Sequence, residues 1–530
     1  MLNLKNAIHI SVNAIVTIFM LLVLASCASK LKVIDDLSAT AFDCIQDYAP
    51  EADPMVRKTG KPAPESSFLT INDGKSALEW RLAIVDSARH TLDIQYFLWK
   101  TDETGTLLLG RVLNAANRGV RVRILMDDFD SARWNKGAVI LTSHPNIEIR
   151  VFNPFKANRS GWAGRGLEMM TQMDRLNHRM HNKLLMVDNK AAIVGGRNIG
   201  NEYFGAGKSL DYRDYDLLTV GPVVEELSSS FNLFWDSVWS YRISDLSKKE
   251  NDEKKLDDLE KRLDEIVQNS KWLDQEFAFS PVDWSDRITR AKQKMITAPA
   301  RAVYDCPPPE VGEFPVQTII TLNKLAEQAK EEVFMISPYM VPLEGFHEAI
   351  KKTTDRGVAV RILTNSLAAA DHTIAFSGYK RHRIQLLENG VILHEIRPQG
   401  PMWETFRLNA STAKHISLHA KIGVIDRRWV YVGSLNLDPR AIHWNTELGI
   451  LIDSDDLASR ILSDFEMDLS PENSWKVEWR LPREDPSSPP PGGRLVWISD
   501  EGETTKEPSK GIFQKINLWF FSILPLDEQL

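Results

Sequence analysis

Apolar positions recur at helical spacing over residues 76–89 and 107–117, with Gly119 closing the second stretch. Residues 92–98 and 120–126 read instead as short strands. The same order returns later, with helical spacing over 318–330, a strand over 333–337, helical spacing over 346–354 and a strand over 358–364. Helix alternating with strand predicts an α/β fold, and its return predicts two copies.

The duplication is also written in the residues. RGVRVRIL at 118–125 comes back as RGVAVRIL at 356–363, 238 residues on. HRMHNKLLMVDNKAAIVGGRNIGN at 178–201 and HISLHAKIGVIDRRWVYVGSLNLD at 415–438 put His181 and His419 at that same offset. With 530 residues, 43% of them hydrophobic, the chain can bury a large core and is too long for one ordinary domain. A net charge of −8 lacks the basic footprint of a protein that coats nucleic acid.

A His works as nucleophile or general acid/base near neutral pH, and a Lys two residues along a strand points to the same face. His181 with Lys183, and His419 with Lys421, are therefore expected to look into one cleft. Asp188 and Asp426 fall at the turn into the next strand, where an Asp fixes a turn and pairs with a neighbouring cation more readily than it performs chemistry. Gly195-Gly196-Arg197-Asn198 and Gly433-Ser434-Leu435-Asn436 end that next strand. Glycines there let backbone approach a ligand, and amides at a helix start attract an anion. Two such constellations converging would make a phosphate cradle. GKS at 74–76 and at 207–209 imitates the end of a nucleotide-binding loop, but Leu69 and Glu202 stand where its first Gly is required.

HxKxxxxD followed by GGxN or GSxN, in two copies, resembles the phospholipase D superfamily over residues 78–452. LDIQYFLW (92–99), RLNHRMHNK (175–183), VGGRNIGNEYFGAG (194–207), RILTNSLAAAD (361–371) and SILP (522–525) are similar to bacterial cardiolipin synthases of the C type. The resemblance implies a duplicated phospholipase D-like α/β sandwich, its two halves packed around one shared active site. It also implies a phosphohistidine mechanism, with one His attacking phosphorus and the other acting as acid and base; His181 is our choice for the nucleophile. Lys183, Lys421, Asn198, Asn436 and Ser434 would hold the phosphoryl oxygens, with Gly196 at the place of Ser434, and the family motif counts Asp188 and Asp426 in its catalytic set. Glu447 for His419, and Asp216 for His181, would be the orienting carboxylates.

No nucleotide cofactor is implied, because exchanging one phosphodiester for another needs no external energy source, and no metal is implied, because no His/Cys cluster has zinc-ligand spacing and lysines can neutralise the charge a metal would otherwise carry. The resemblance implies phosphatidyl transfer between phospholipids, from phosphatidylglycerol with phosphatidylglycerol or phosphatidylethanolamine. Hydrolysis to phosphatidic acid is the alternative; a nuclease on this scaffold sits poorly with the acidic chain, so no nucleic-acid partner is expected.

The flanks concern location. Lys5 precedes an apolar run over 14–25 that suits a signal segment, followed by Leu24-Ala25-Ser26-Cys27, which resembles a lipoprotein signal with Cys27 lipidated. A membrane-anchored lipoprotein facing the periplasm is expected, and an uncleaved anchor is the alternative. There Cys44 and Cys306 could form a bridge or remain buried thiols. The expected division is 1–27 signal segment, 28–74 extension, 75–245 first half, 246–314 charged helical linker, 315–470 second half and 471–530 C-terminal extension. Its apolar tail over 511–524 is either a helix packed on the domain or a membrane-surface segment.

Overall fold

The computed structural model describes residues 54–57, 60–129, 135–155, 162–246, 253–270, 282–308, 316–343, 345–408, 411–481 and 493–522. The signal segment, Cys27 and Cys44 lie outside them. Cys306 is disulfide-bonded.

Both halves are built as the hydrophobic pattern predicts. In the first, the helix Gly74–Asp86 begins where the Asp73 carboxylate accepts from the Ser76 amide at 2.8 Å. Asp102 caps the helix Glu103–Asn117 in the same way, starting it before the first apolar residue. Gly119 and Gly357 end corresponding helices with φ of +94° and +85°, a conformation that costs glycine little, which is why the RGV triplet returns intact.

The first sheet runs Ser240–Arg242, Ile147–Phe152, Arg121–Asp127, Thr91–Tyr96, Leu184–Val187, Ala191–Gly195, Asp216–Val220, Glu65–Ile71. The second repeats its centre in Ile392–Ile396, Ala359–Asn365, Glu332–Ile336, Ile422–Ile425, Trp429–Gly433, Leu448–Asp453, and is extended by Ser474–Arg480, Arg494–Ser499 and Gly502–Thr504. One long strand, Ile296–Tyr304, belongs to both. Its first residues pair with Glu65–Ile71 and its last with Leu448–Asp453, so the pairing passes from one sheet into the other. This strand lies within the stretch expected as linker.

Strand alternation sorts the core into layers. Leu184 and Met186 face a central core that they share with Ile422 and Val424 of the other half, while Leu185 and Val187 face the outer helices of the first half. Two sheets thus pack face to face with helices outside each, the arrangement that brings the two motifs together. The charged helix Glu253–Asn269 is more than a solvated connector. It buries Leu263 and Val267 against the first half, and Leu256 and Leu259 pack partly against it. The C-terminal helix Ile512–Ser522 buries Leu518 but leaves Ile512, Phe513, Ile516 and Trp519 exposed. Among the described residues, no helix is long and apolar enough to cross a membrane.

Candidate active site

Two short parallel pairings cross between the halves and build the site. Arg179–Met180, just before His181, pairs with Asn445–Thr446, just before Glu447. His415–Leu418, just before His419, pairs with Leu210–Arg213, just before Asp214. Each histidine is therefore delivered beside a carboxylate of the opposite half. His181 Nδ1 lies 2.9 and 3.0 Å from the two Glu447 oxygens, and His419 Nδ1 lies 2.6 Å from Asp214 Oδ2. With Nδ1–H donated to a carboxylate, Nε2 is left for substrate on both rings.

These contacts correct the expected orienting groups in two ways. Glu447 serves His181, not His419. Asp216 serves neither; its carboxylate lies 3.0 Å from Arg81 and 3.2 Å from Arg197, a buried ionic cluster behind the site. The reason is register. Gly195 pairs with Asp216 as Gly433 pairs with Gly449, so the counterpart of Glu447, two residues before Gly449, is Asp214. The segment from Gly196 to Asp214 is longer than that from Ser434 to Glu447, and the 238-residue offset fails across it. Aligning DYDLLTV (214–220) with ELGILID (447–453) as strands would have found Asp214.

Lys183, Lys421, Asn198, Asn436 and Ser434 are all buried here. Lys183 Nζ donates to the His181 carbonyl at 2.6 Å, and Lys421 Nζ lies 3.0 Å from His419 Nδ1. Asn198 and Asn436 each keep a buried side-chain oxygen with no hydrogen-bond partner, the same vacancy at the same offset. Buried polar atoms are ordinarily satisfied, so a matched pair left unsatisfied marks a place where a ligand supplies the partner. Ser434 donates to Glu447. Gly196 explains its own departure, since a Cβ there would stand 2.2 Å from Asp214 Oδ1.

Asp188 and Asp426 stand at the far ends of their strands, outside the cleft. Asp188 accepts from the amides of Arg89, His90 and Thr91, and Asp426 from those of Lys330, Glu331 and Glu332. Both turn the chain with φ near +50° (50° and 51°). The turn role holds, the partner is backbone and not a cation, and neither Asp belongs with the catalytic groups.

Further residues matter that the motifs did not flag. Asp127 accepts from the Met180 amide at 2.9 Å and Asn365 from the Leu418 amide at 2.8 Å, fixing the residue before each histidine. They end the two RILx repeats, a signal available in the sequence. Asp305 accepts from the Glu447 amide at 2.9 Å. Around His419 stand Tyr203 and Tyr212, with ring centroids 5.2 and 4.9 Å away; around His181 stands Phe97 at 5.1 Å. Tyr212 and Tyr339 both donate to Asp371.

The electrostatics of the two pairs diverge. Burial pushes Glu447 well above the usual carboxylate range, with Lys183 opposing. Burial also works against the Asp214 charge, but the His419 ring, Lys421 and Arg197 outweigh it and hold this carboxyl below its usual range. Burial, with Lys183 and Lys421, pushes His181 well down; burial and Lys421 lower His419 to about 4. Burial likewise lowers Lys183, and brings Lys421 down to about 8.

The chain is similar to known proteins along most of its length. The family described as "Cardiolipin synthase, PLD-like domain" matches residues 82–235 and 322–469, one match for each half. Cardiolipin synthase C of Escherichia coli is 33% identical over 479 residues, covering 87% of this chain and 96% of that protein. A cardiolipin synthase of Alkalihalophilus pseudofirmus is 25% identical over 79% of this chain and 69% of its own. Among solved structures, the phosphatidylserine synthase of Haemophilus influenzae superposes with a TM-score of 0.52 at 13% identity, over 77% of this chain and 86% of that one, a likeness of fold. Matched in both halves and along most of its length, the chain belongs to the cardiolipin synthase family with phospholipase D-like domains.

Proposed function

We propose that the protein transfers a phosphatidyl group between two phospholipids, as a cardiolipin synthase does, through a phosphohistidine. The observation that carries this reading is the pair of buried imidazoles, each anchored at Nδ1 by a carboxylate of the other half, among two lysines and two incompletely satisfied asparagines. Membership of the cardiolipin synthase family supports lipid as the substrate.

His181 Nε2 attacks phosphorus, and the P–O bond to the leaving alcohol breaks as His419 Nε2 gives that oxygen a proton. The acceptor hydroxyl then loses its proton to His419 and attacks; the P–N bond breaks and His181 is regenerated. The upward shift of Glu447 gives little support to a second proton on His181 and keeps its Nε2 free to attack, whereas the depressed Asp214 favours the imidazolium of His419. Environments that push paired groups apart assign acid and base roles in this way. Burial and Lys421 depress His419 in the free protein, and the phosphodiester's own negative charge opposes them once it binds. Lys183, Lys421, Asn198 and Asn436 hold the phosphoryl oxygens while charge grows on them. Phosphatidylglycerol and phosphatidylethanolamine are the lipids we assign.

Water is the competing acceptor, so transfer requires a cleft pressed against lipid. We assign that role to the C-terminal helix. Lys510 Nζ and Gln514 Nε2 donate to the carbonyls of Ala370 and Leu367, beside the Asp371 that Tyr212 and Tyr339 contact, and the apolar side chains of the helix remain exposed. A lipoprotein anchor at Cys27 and a periplasmic location complete the reading, and a disulfide at Cys306 suits an oxidising compartment.

Purified protein on vesicles of phosphatidylglycerol and phosphatidylethanolamine should yield cardiolipin in excess of phosphatidic acid by mass spectrometry. Phosphatidic acid as the main product would replace transfer by hydrolysis. Deleting residues 511–530 should move the ratio toward phosphatidic acid.

A further inference from the structure

A cavity of about 710 Å³ lies at the joint where the strand Glu65–Ile71 meets Ile296–Tyr304. It shares no residue with the catalytic cleft. Arg287, Arg290 and Lys294, on and just after the helix Ser285–Lys292, line it together with Arg460 of the second half, against a single lining carboxylate, Asp73. That carboxylate already accepts from the Ser76 amide.

The four cations are not equally committed. Arg287 lies 2.5 Å from Glu79 and stacks over the Trp80 ring, with its guanidinium carbon 4.9 Å from the centroid. Arg460 lies 3.2 Å from Asp464. Arg290 and Lys294 have no side-chain partner among the described residues. A concave surface lined by one sign of charge focuses its field inward and draws the opposite sign. Here Glu79 and Asp464 answer two of the four cations, and among the described residues no carboxylate answers Arg290 or Lys294.

The walls narrow the ligand further. Phe68 and Trp80, both buried, with Leu69 and Ile296, supply apolar lining beside the cations. An inorganic anion would use the cations alone, whereas a phosphate carried on a glyceride would use both surfaces. We propose that this cavity is a second, non-catalytic site for a phosphate group, one whose apolar wall points to a phospholipid as the carrier.

The site borders the segment that holds Asp214. Asn72, on the cavity wall, accepts from Arg213 Nη1 at its carbonyl (2.9 Å) and side chain (2.5 Å), and Asp464, the partner of Arg460, accepts from the Tyr215 hydroxyl at 2.6 Å. Residues on both sides of Asp214 are thus tied to the cavity's rim.

The test reads binding without turnover. Full-chain protein carrying His181→Ala is titrated calorimetrically with dihexanoyl phosphatidylglycerol below its micellar concentration, and separately with inorganic phosphate. Lipid binding should include a component outside the cleft, and adding Arg290→Glu with Lys294→Glu should weaken that component at least about tenfold while leaving the rest of the isotherm. The milder pair Arg290→Gln with Lys294→Gln should give an intermediate loss, and serves if the reversed pair folds poorly. Phosphate binding as tightly as the lipid, with the same loss on charge reversal, would assign the site to free phosphate. Isotherms unchanged by both pairs would overturn the proposal.

Discussion

The two ends of the cleft carry the same motif and have been furnished differently. At one, His181 meets a longer carboxylate, Glu447, which Ser434 also contacts, and an apolar ring, Phe97. At the other, His419 meets the shorter Asp214, a glycine where the serine was, and two tyrosines. The glycine and the aspartate are one adaptation. Any side chain at 196 would collide with Asp214, and Asp214 needs that space to come within 2.6 Å of its histidine. Duplication supplied two equivalent parts, and their surroundings then set one carboxylate toward the neutral state and the other toward the charged one.

Removing either histidine should have the largest effect. His181→Ala and His419→Ala should each lower turnover by about 10²–10⁴-fold, and the double variant should be little worse than the worse single one, because the two act as a unit. Rapid-quench labelling with phosphatidylglycerol labelled in its phosphatidyl group separates the roles. His181→Ala should form no labelled protein, and label on that variant would assign the nucleophile to His419 instead.

A second experiment sets Asp214 against Asp216. Asp214→Asn should cost about 10²–10⁴-fold in turnover, since the amide no longer fixes the His419 tautomer, while thermal unfolding moves little. Asp216→Ala should do the reverse, because Arg81 and Arg197 would be left buried without their carboxylate at a cost of about 3–5 kcal/mol. Activity per folded molecule should survive. If Asp216→Ala abolishes turnover in well-folded protein and Asp214→Asn does not, the crossed pairing is wrong.

How much of this was legible beforehand follows from what each feature depends on. Helices, strands and duplication rest on local periodicity and on literal repeats such as RGV, whose glycine is fixed by a positive φ. The histidines, lysines and asparagines sit inside the repeated segments, so their convergence could be expected. The carboxylate partners could not be read so directly, because they cross between halves and lie beyond a loop whose length differs in the two copies. Tyr203 and Tyr212 fall in that same unequal stretch. The joint strand Ile296–Tyr304 was obscured by the charged residues around it, and its place is decided by tertiary pairing with both sheets.

The glycine and serine offer a smaller and more pointed contrast. Ser434→Ala removes a hydrogen bond to a buried carboxylate and the acceptor of the Leu448 amide, and should cost about 1–3 kcal/mol of transition-state or folding free energy. Gly196→Ser, which makes the two ends look alike in sequence, should be worse for activity, because the new side chain displaces Asp214. Steady-state kinetics of the two variants decides it. An active Gly196→Ser protein with an unshifted pH profile would show that the Asp214 contact tolerates the displacement.

The smallest effect is expected where the motif's own aspartates stand. Asp188→Asn keeps a side chain that tolerates the left-handed backbone at φ 50° and keeps one acceptor oxygen, so it removes charge with little strain. Stability should fall by only about 1 kcal/mol, and turnover per folded molecule should stay at the wild-type level, as it should for Asp426→Asn. The pH dependence identifies the cause. Partial burial works against the Asp188 charge, yet the amides of Thr91, His90 and Arg89 outweigh it and hold the carboxyl below its usual value. A group depressed in the folded state stabilises the protein above its unfolded pKa of about 3.9 and loses that contribution as pH falls through the folded value. The stability gap between wild type and Asp188→Asn, measured by denaturant titration, should therefore be flat above about pH 5 and close on further acidification. A gap that persists at the acid end would trace the loss to packing at the turn and not to the carboxylate's charge, and a drop in turnover would return Asp188 to the catalytic set.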